Sequence, residues 1–124
     1  MRILVVEDDA ELCAALSETL TDEGHEVTVA FDGLQAMACL QAGGPPDLIL
    51  LDLMLPFLSG WQLVAALGAG GRELPCPIVV LSTVGHLAPK EAAATLQKPV
   101  QIPPLLAAIG RCGRGALVPE VRSA

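Results

Sequence analysis

The sequence predicts an α/β fold built on a doubly wound parallel sheet. Short apolar runs alternate about five times with amphipathic stretches of helical period, the order expected when helices cover both faces of a sheet. The third run, residues 48–51, is apolar on both faces, as a central parallel strand requires. With 124 residues, 52% of them hydrophobic, the chain is long enough for one domain with a real core.

Start and stop signals place each element along the chain. The predicted strands are residues 3–6, 26–30, 48–51, 78–81 and, as a weaker signal, 95–97. The predicted helices are residues 9–23, 32–41, 60–67 and 103–109. Three polar side chains stand where helix N-caps belong, namely Asp9, Asp32 and Ser59. Helical spacing also puts Leu34 and Ile102 on inward-facing sides.

Charge and cysteine usage exclude several classes of protein. A net charge of −7 disfavours binding to nucleic acid or to an anionic membrane surface. The four cysteines are widely spread and form no Cys-x-x-Cys pair, so we expect reduced thiols in a cytoplasmic protein rather than a zinc site. The apolar stretch at residues 48–71 contains Asp52, Pro56 and several glycines, which favours a strand, loop and helix over a membrane span.

Polar residues follow four of the predicted strands at their carboxyl ends. In chain order they are Glu7, Asp8, Asp52, Ser82 and Lys98. Ligands of open parallel sheets bind at this edge, because the carboxyl ends of all the strands meet there. We therefore expect a cluster of carboxylates together with one hydroxyl and one ammonium group.

This set of side chains suits phosphoryl chemistry. Packed carboxylates favour a divalent cation, and hard oxygen ligands select Mg²⁺. Asp52 is the candidate nucleophile, because a carboxylate that ends an apolar strand is costly unless it has a partner or a function. Lys98 and Ser82 would then stabilise phosphoryl oxygens. Taken singly, the acids at residues 7–9 would equally suit helix capping, and Ser82 or Lys98 an ordinary surface position.

Four segments resemble the receiver domains of bacterial two-component response regulators. They are residues 3–9, residues 46–56 with the following Ser59-Gly60, residues 77–82, and the pair Lys98-Pro99. Each motif alone is weak, but all four stand in the family's order and each lies at a strand end. The resemblance covers residues 1 to about 109. It implies a flavodoxin-like, three-layer α/β/α fold with five strands in the order 2-1-3-4-5.

The resemblance also implies a role for each site residue. Asp52 would accept the phosphoryl group from the phosphohistidine of a histidine kinase or a histidine phosphotransfer protein. Lys98 would pair with that group, and Ser82 would move to donate a hydrogen bond to it. The implied Mg²⁺ ligands are Asp8, Asp52, the backbone carbonyl of Met54 and, mainly through bound water, Glu7.

Two departures from the family pattern modify these expectations. Thr95 stands where the family usually has an aromatic residue. Ser82 and Lys98 are only 16 positions apart, which leaves room for little more than one helical turn, expected at residues 90–94. The fourth helix of the fold is therefore predicted to be short, distorted or missing.

Three functions compete for this sequence. The favoured one is a phosphoacceptor receiver at residues 1–112, with residues 113–124 as a tail and no output domain, which acts by binding a downstream target protein. The alternative, motivated by Thr95 and the short segment, is a pseudo-receiver that binds partners independently of phosphorylation. A phosphohydrolase of the haloacid-dehalogenase type is rejected, because the second aspartate it needs is replaced by Met54. We therefore do not expect an enzyme.

Overall fold

The structure, a computed structural model, describes residues 1–83 and 87–112. Its strands are β1 (Arg2–Val6), β2 (Glu26–Ala30), β3 (Leu48–Asp52), β4 (Ile78–Ser82) and β5 (Ala94–Gln97). Its α-helices are α1 (Ala10–Asp22), α2 (Gly33–Gly43), α3 (Gly60–Leu67) and α4 (Ile102–Cys112). The predicted tail, residues 113–124, lies outside the described residues.

All five strands are parallel and form one sheet in the order β2-β1-β3-β4-β5, which confirms the predicted topology. Every residue of β3 and β4 is buried, whereas β2 and β5 at the edges carry exposed residues at alternate positions. This difference in burial explains why the central strands are continuous apolar runs in the sequence and why the apolar pattern of β5 was weaker.

Helices cover both faces of the sheet. On one face, α1 and α4 pack through residues such as Leu16 and Leu105, and on the other, α2 and α3 pack through residues such as Leu63. Neighbouring strand residues point to opposite faces, so that Leu50 lies in the first core and Leu51 in the second. The apolar stretch at residues 48–71 is divided among β3, a loop and α3, and no helix within the described ranges has the length and apolarity to span a bilayer.

The predicted caps fix the loops at the carboxyl edge of the sheet. The Asp9 side chain accepts hydrogen bonds from two amides in the first turn of α1, and Asp32 accepts one from the amide of Gln35. Ser59 and Gln62 form a reciprocal capping box at the start of α3. Each cap is worth about 1 kcal/mol, and together they set where the loops after β1, β2 and β3 turn into helices.

Two residues predicted to face the core do not. Leu34 is 58% exposed and Ile102 is 43% exposed. In α2 the residues that face the core are Gly33 and Ala36. This side of the helix lies so close to Leu58 that a side chain at Gly33 would collide with the backbone and Cβ of that residue. Ile102 opens α4, and the core contacts of that helix begin one turn later, at Leu105.

The connection between β4 and β5 departs from the helix predicted there. Residues 87–93 contain no α-helix, so the prediction of a short or missing fourth helix is confirmed for this part of the chain. The turn of helix expected at residues 90–94 is wrong, because Ala93 already donates to the carbonyl of Ile78 at 2.8 Å and Ala94 begins β5. The connection is so short that these residues must lead directly into the next strand and cannot form a helical turn.

This connection nevertheless covers the second face of the sheet. Ala88 and Ala92 pack against the core under α2 and α3. The indole N–H of Trp61 donates to the carbonyl oxygen of Leu87 at 2.8 Å, which ties the connection to the first turn of α3. Small apolar side chains and one hydrogen bond thus stand where a longer connection would place a helix.

We predict that the contact between Gly60 and the end of β3 leaves no room for a side chain. A Cβ at Gly60 would lie 2.7 Å from the carbonyl oxygen of Asp52 and 2.7 Å from the Cα of Leu53. Gly60→Ala should therefore lower the free energy of unfolding by roughly 2 kcal/mol or more, because backbone must shift. Chemical denaturation measures the change.

The matched control is Gly110→Ala in α4, where an added Cβ would meet no atom within 4 Å. That variant should gain roughly 0.5–1 kcal/mol, because alanine is the better helix former. If Gly60→Ala unfolds at the same denaturant concentration as the wild type, the close approach of α3 to β3 is contradicted.

Candidate functional site

The strand register brings two acids to the same level of the sheet. Val6 of β1 lies opposite Leu51 of β3, and Leu51 lies opposite Val80 of β4. Glu7 and Asp52 come one residue later, at the carboxyl ends of neighbouring strands. Because side chains alternate along each strand, both belong to the face covered by α1 and α4.

Lys98 reaches this pair from the far side of β4. The backbone N–H of Lys98 donates to the carbonyl oxygen of Ser82 at 3.1 Å, which fixes the lysine beside the end of β4. Its Nζ lies 2.7 Å from Oε1 of Glu7 and 3.5 Å from Oδ1 of Asp52. Two buried carboxylates thus share one ammonium group.

Glu7 is held at both carboxylate oxygens and at its backbone. Its side chain is 0% exposed. While Oε1 pairs with Lys98, Oε2 accepts a hydrogen bond from the N–H of Asp9 at 3.0 Å. The Cys13 thiol donates to the backbone carbonyl of Glu7 at 3.1 Å. These contacts give the first acid of the site a single, fixed position.

Asp52 and Asp8 complete a set of oxygen donors. Asp52 is 4% exposed, and its Oδ1 accepts a hydrogen bond from the N–H of Met54 at 3.3 Å. Asp8 lies at the exposed mouth of the site. One carboxylate oxygen from each of Glu7, Asp8 and Asp52 lies within 4.8 Å of the others. Hard oxygen donors at such spacing suit a divalent cation such as Mg²⁺.

The electrostatics of the pocket are unbalanced toward negative charge. Burial raises the pKa of Glu7, and the nearby Asp52 adds to the rise, although Lys98 opposes it. Burial likewise raises the pKa of Asp52 against the effect of Lys98. For Lys98 itself, burial favours a lower pKa, but its contacts with Glu7 and Asp52 outweigh that effect and raise the pKa. A further cation would therefore be stabilised here.

The remaining predicted site residues lie around this cluster. Ser82 is buried at the same edge, and strand alternation places it on the opposite face of β4 from Leu81. Met54 contacts Asp52 through its amide, while its side chain is exposed. Asp9 caps α1 rather than joining the cluster, as its position after the acidic pair predicted.

Two contacts of the site were missed by sequence reasoning. One is the direct ion pair between Glu7 and Lys98, since the lysine was assigned only to the phosphoryl group. The other is the hydrogen bond from the Cys13 thiol, since the cysteines were predicted only to be reduced and not to hold zinc. Burial raises the pKa of the Cys13 thiol to about 11, so the group keeps the proton that it donates. No sequence pattern signals this contact, because it depends on how α1 packs. All four cysteines are free thiols, as predicted.

Comparison with curated proteins places this site within a known family. The family model of the response regulator receiver domain matches residues 3–110. The transcriptional regulatory protein TcrA of Mycobacterium tuberculosis is 33% identical over 126 residues, which cover 97% of this chain and 49% of TcrA. The response regulator MprA of Mycobacterium avium is 35% identical over 111 residues, with 86% and 48% covered. The chain thus spans about half the length of these curated relatives.

Solved structures agree with this assignment. The chemotaxis response regulator CheY4 of Vibrio cholerae superimposes with a TM-score of 0.77 at 30% identity, over 89% of this chain and 96% of CheY4. The receiver domain of NtrX from Brucella abortus also gives 0.77 at 30% identity, over 88% and 95%. With its parallel sheet and acidic edge, the chain therefore belongs to the response regulator receiver domains, the signalling modules of two-component systems.

Proposed function

We propose that Asp52 accepts a phosphoryl group from the phosphohistidine of a histidine kinase or a histidine phosphotransfer protein. The observation that carries this proposal is the Asp52 carboxylate, buried at the sheet edge with the Lys98 ammonium 3.5 Å away. A fixed nucleophile beside a fixed cation meets the two main needs of phosphoryl transfer, namely positioning and charge stabilisation.

In this reaction an oxygen of Asp52 attacks phosphorus. The new O–P bond forms as the N–P bond of the donor breaks, and the imidazole leaves with that electron pair and takes up a proton. The product is an acyl phosphate on Asp52. We propose that the Lys98 ammonium turns from Glu7 to the phosphoryl oxygens, a short move because it already lies within 3.5 Å of Asp52. The Ser82 hydroxyl would donate to another of these oxygens.

The donor set also supports the Mg²⁺ expected for this family. We propose that Asp8, Asp52 and the backbone carbonyl of Met54 bind the ion directly. Both carboxylate oxygens of Glu7 are already engaged, by Lys98 and by the amide of Asp9, which supports contact through bound water instead. When bound, Mg²⁺ supplies charge neutralisation at the transferring oxygens.

We propose that the phosphorylated domain acts by binding a downstream target protein. The family consists of signalling modules, which carry a phosphoryl group rather than turn over a substrate. The net charge of −7 supports the prediction that these residues do not bind nucleic acid themselves. That prediction concerns this segment alone, since the chain spans about half of relatives named as transcriptional regulators. We propose that the domain comprises residues 1–112, within which the structure describes the five-stranded sheet and helices α1 to α4.

A pseudo-receiver is the second candidate function. It is favoured by Thr95, an exposed residue of β5 at the position where the family has an aromatic, and by the lack of an α-helix in residues 87–93. In that case the fold would bind partners without modification of Asp52. A beryllofluoride complex that leaves the amide NMR spectrum unchanged would support it.

Phosphorylation can be tested with a small donor. Incubation with acetyl phosphate and Mg²⁺ should give one phosphoryl adduct in the intact mass spectrum, because Asp52 lies beside Lys98 at the carboxyl edge of the sheet. The adduct should be absent in Asp52→Asn and after EDTA treatment. Asp22→Asn, an exposed change at the end of α1, should label like the wild type. A wild-type chain that stays unlabelled would favour the pseudo-receiver.

The charge imbalance predicts that Asp52→Asn stabilises the metal-free protein at neutral pH. Because its pKa is raised above the ordinary 3.8, folded Asp52 binds protons that the unfolded chain has lost, so wild-type stability falls as pH rises through that window. The variant avoids this cost and should gain on the order of 1 kcal/mol, a rise of roughly 4 °C in Tm. The gain should vanish below about pH 4.

Thermal unfolding in EDTA across this pH range measures the difference. Adding Mg²⁺ should then raise the Tm of the wild type more than that of Asp52→Asn, because a ligand of the variant site is lost. If the variant melts below the wild type at neutral pH without metal, the claim that the ionised Asp52 carboxylate destabilises the fold is contradicted.

A further inference from the structure

Beyond phosphorylation, we propose that the α2/α3 side of the sheet edge is a docking surface for an amphipathic helix with one basic flank, anchored on Phe57. The surface, here termed the apolar rim, consists of residues on three loops and the first turn of α2. Its members are Phe31, Leu34, Met54, Phe57 and Leu87.

Phe57 has a backbone conformation that bulky residues rarely adopt. Its φ is +68°, in the left-handed region that favours glycine and asparagine. The N–H of Leu58 donates to the carbonyl of Pro56 at 2.7 Å, which closes a tight turn around Phe57. The side chain is 80% exposed, so no burial within the chain offsets this strain. An exposed phenylalanine in this backbone conformation is therefore better explained by a contact with a partner than by packing within the fold.

The rim residues lie on segments that contact one another. Gly33 of α2 lies directly against Leu58, which places Leu34 and Phe57 on adjoining segments of the chain. The hydrogen bond from Trp61 to Leu87 holds the third loop against the start of α3. Single exposed apolar residues are ordinary, but a cluster at one edge marks a binding surface.

The charges around the rim define the chemistry of its partner. Residues 53–71 carry no charged side chain, Asp32 beside the rim caps α2, and the exposed Lys90 and Glu91 beyond Leu87 have opposite charges. Beside the metal-site Asp8, the start of α1 exposes Glu11 and the capping residue Asp9. The edge is thus apolar on one side and acidic on the other. A helix with an apolar stripe and a flank of lysine or arginine complements both halves.

The same charges disfavour a second copy of this chain as the occupant. Each copy carries a net charge of −7 and the same exposed acids at the start of α1. Pairing two rims would bring two strongly acidic surfaces close together, which their mutual repulsion disfavours. We therefore commit to a basic amphipathic helix.

The test titrates the ¹⁵N-labelled full chain with a synthetic helix of about 18 residues that has a leucine stripe and lysines along one flank. One comparison peptide carries glutamates in place of the lysines, and another has the same composition in scrambled order. We expect amide shifts at the rim and at the start of α1 with the lysine peptide only. Phe57→Asn should weaken its binding at least about tenfold, as expected for an aromatic anchor.

Two controls separate docking from folding and from phosphorylation. Phe57→Asn should melt no lower than the wild type, because asparagine tolerates the left-handed backbone. It should also label normally with acetyl phosphate, since Phe57 lies outside the acidic cluster. Ile102→Ser removes an exposed apolar residue on the opposite face and should change peptide affinity less than about twofold.

The proposal is overturned if Phe57→Asn binds the lysine peptide as tightly as the wild type, or if the shifts fall elsewhere. Equal binding of the glutamate or scrambled peptide would also overturn it, because the charge or stripe would then be irrelevant. A large loss of Tm in Phe57→Asn would show a structural role instead. Dimerisation of the chain alone, lost in Phe57→Asn, would assign the rim to a second copy.

Discussion

One ammonium group, that of Lys98, bridges two carboxylates that the parallel sheet buries side by side. The register of β1 and β3 places Glu7 and Asp52 at the same level of the sheet and on the same face. Burial raises the pKa of both acids, and a single lysine does not balance them. This arrangement lowers the stability of the fold. It also attracts a cation, and phosphoryl transfer requires such a cation.

The rest of the fold keeps this cluster in place. The Asp9 side chain caps α1, and its backbone N–H donates a hydrogen bond to the Glu7 carboxylate. The same residue therefore fixes both the start of the helix and the position of Glu7. On the opposite face, Gly33 and Gly60 let α2 and α3 approach the loop after Asp52 without a side chain between them. In the same loop, Leu55 and Leu58 pack against the core, whereas the Phe57 side chain is exposed and accessible to a partner.

Features encoded locally were predictable from the sequence, whereas those that depend on packing distance were not. Apolar runs and capping residues correctly predicted the strands, the helices and the caps at Asp32 and Ser59. The chain order of the polar residues predicted one shared edge, because parallel strands end together. The exposure of Leu34 and the thiol contact of Cys13 depend on how closely helices approach the sheet, which no periodicity records. Residue chemistry alone suggested Asp52 as the nucleophile and Lys98 and Ser82 as its partners, whereas the individual Mg²⁺ ligands and the phosphohistidine donor came only from the family resemblance.

A crystal structure of the protein with Mg²⁺ and beryllofluoride would test most directly the claim that the paired carboxylates and Lys98 form a phosphoryl site. We expect beryllofluoride bonded to Asp52, a metal ion between Asp8 and Asp52, and the Lys98 ammonium shifted from Glu7 to a fluorine atom. An Asp52 carboxylate that stays unmodified, with Lys98 still 2.7 Å from Glu7, would contradict it.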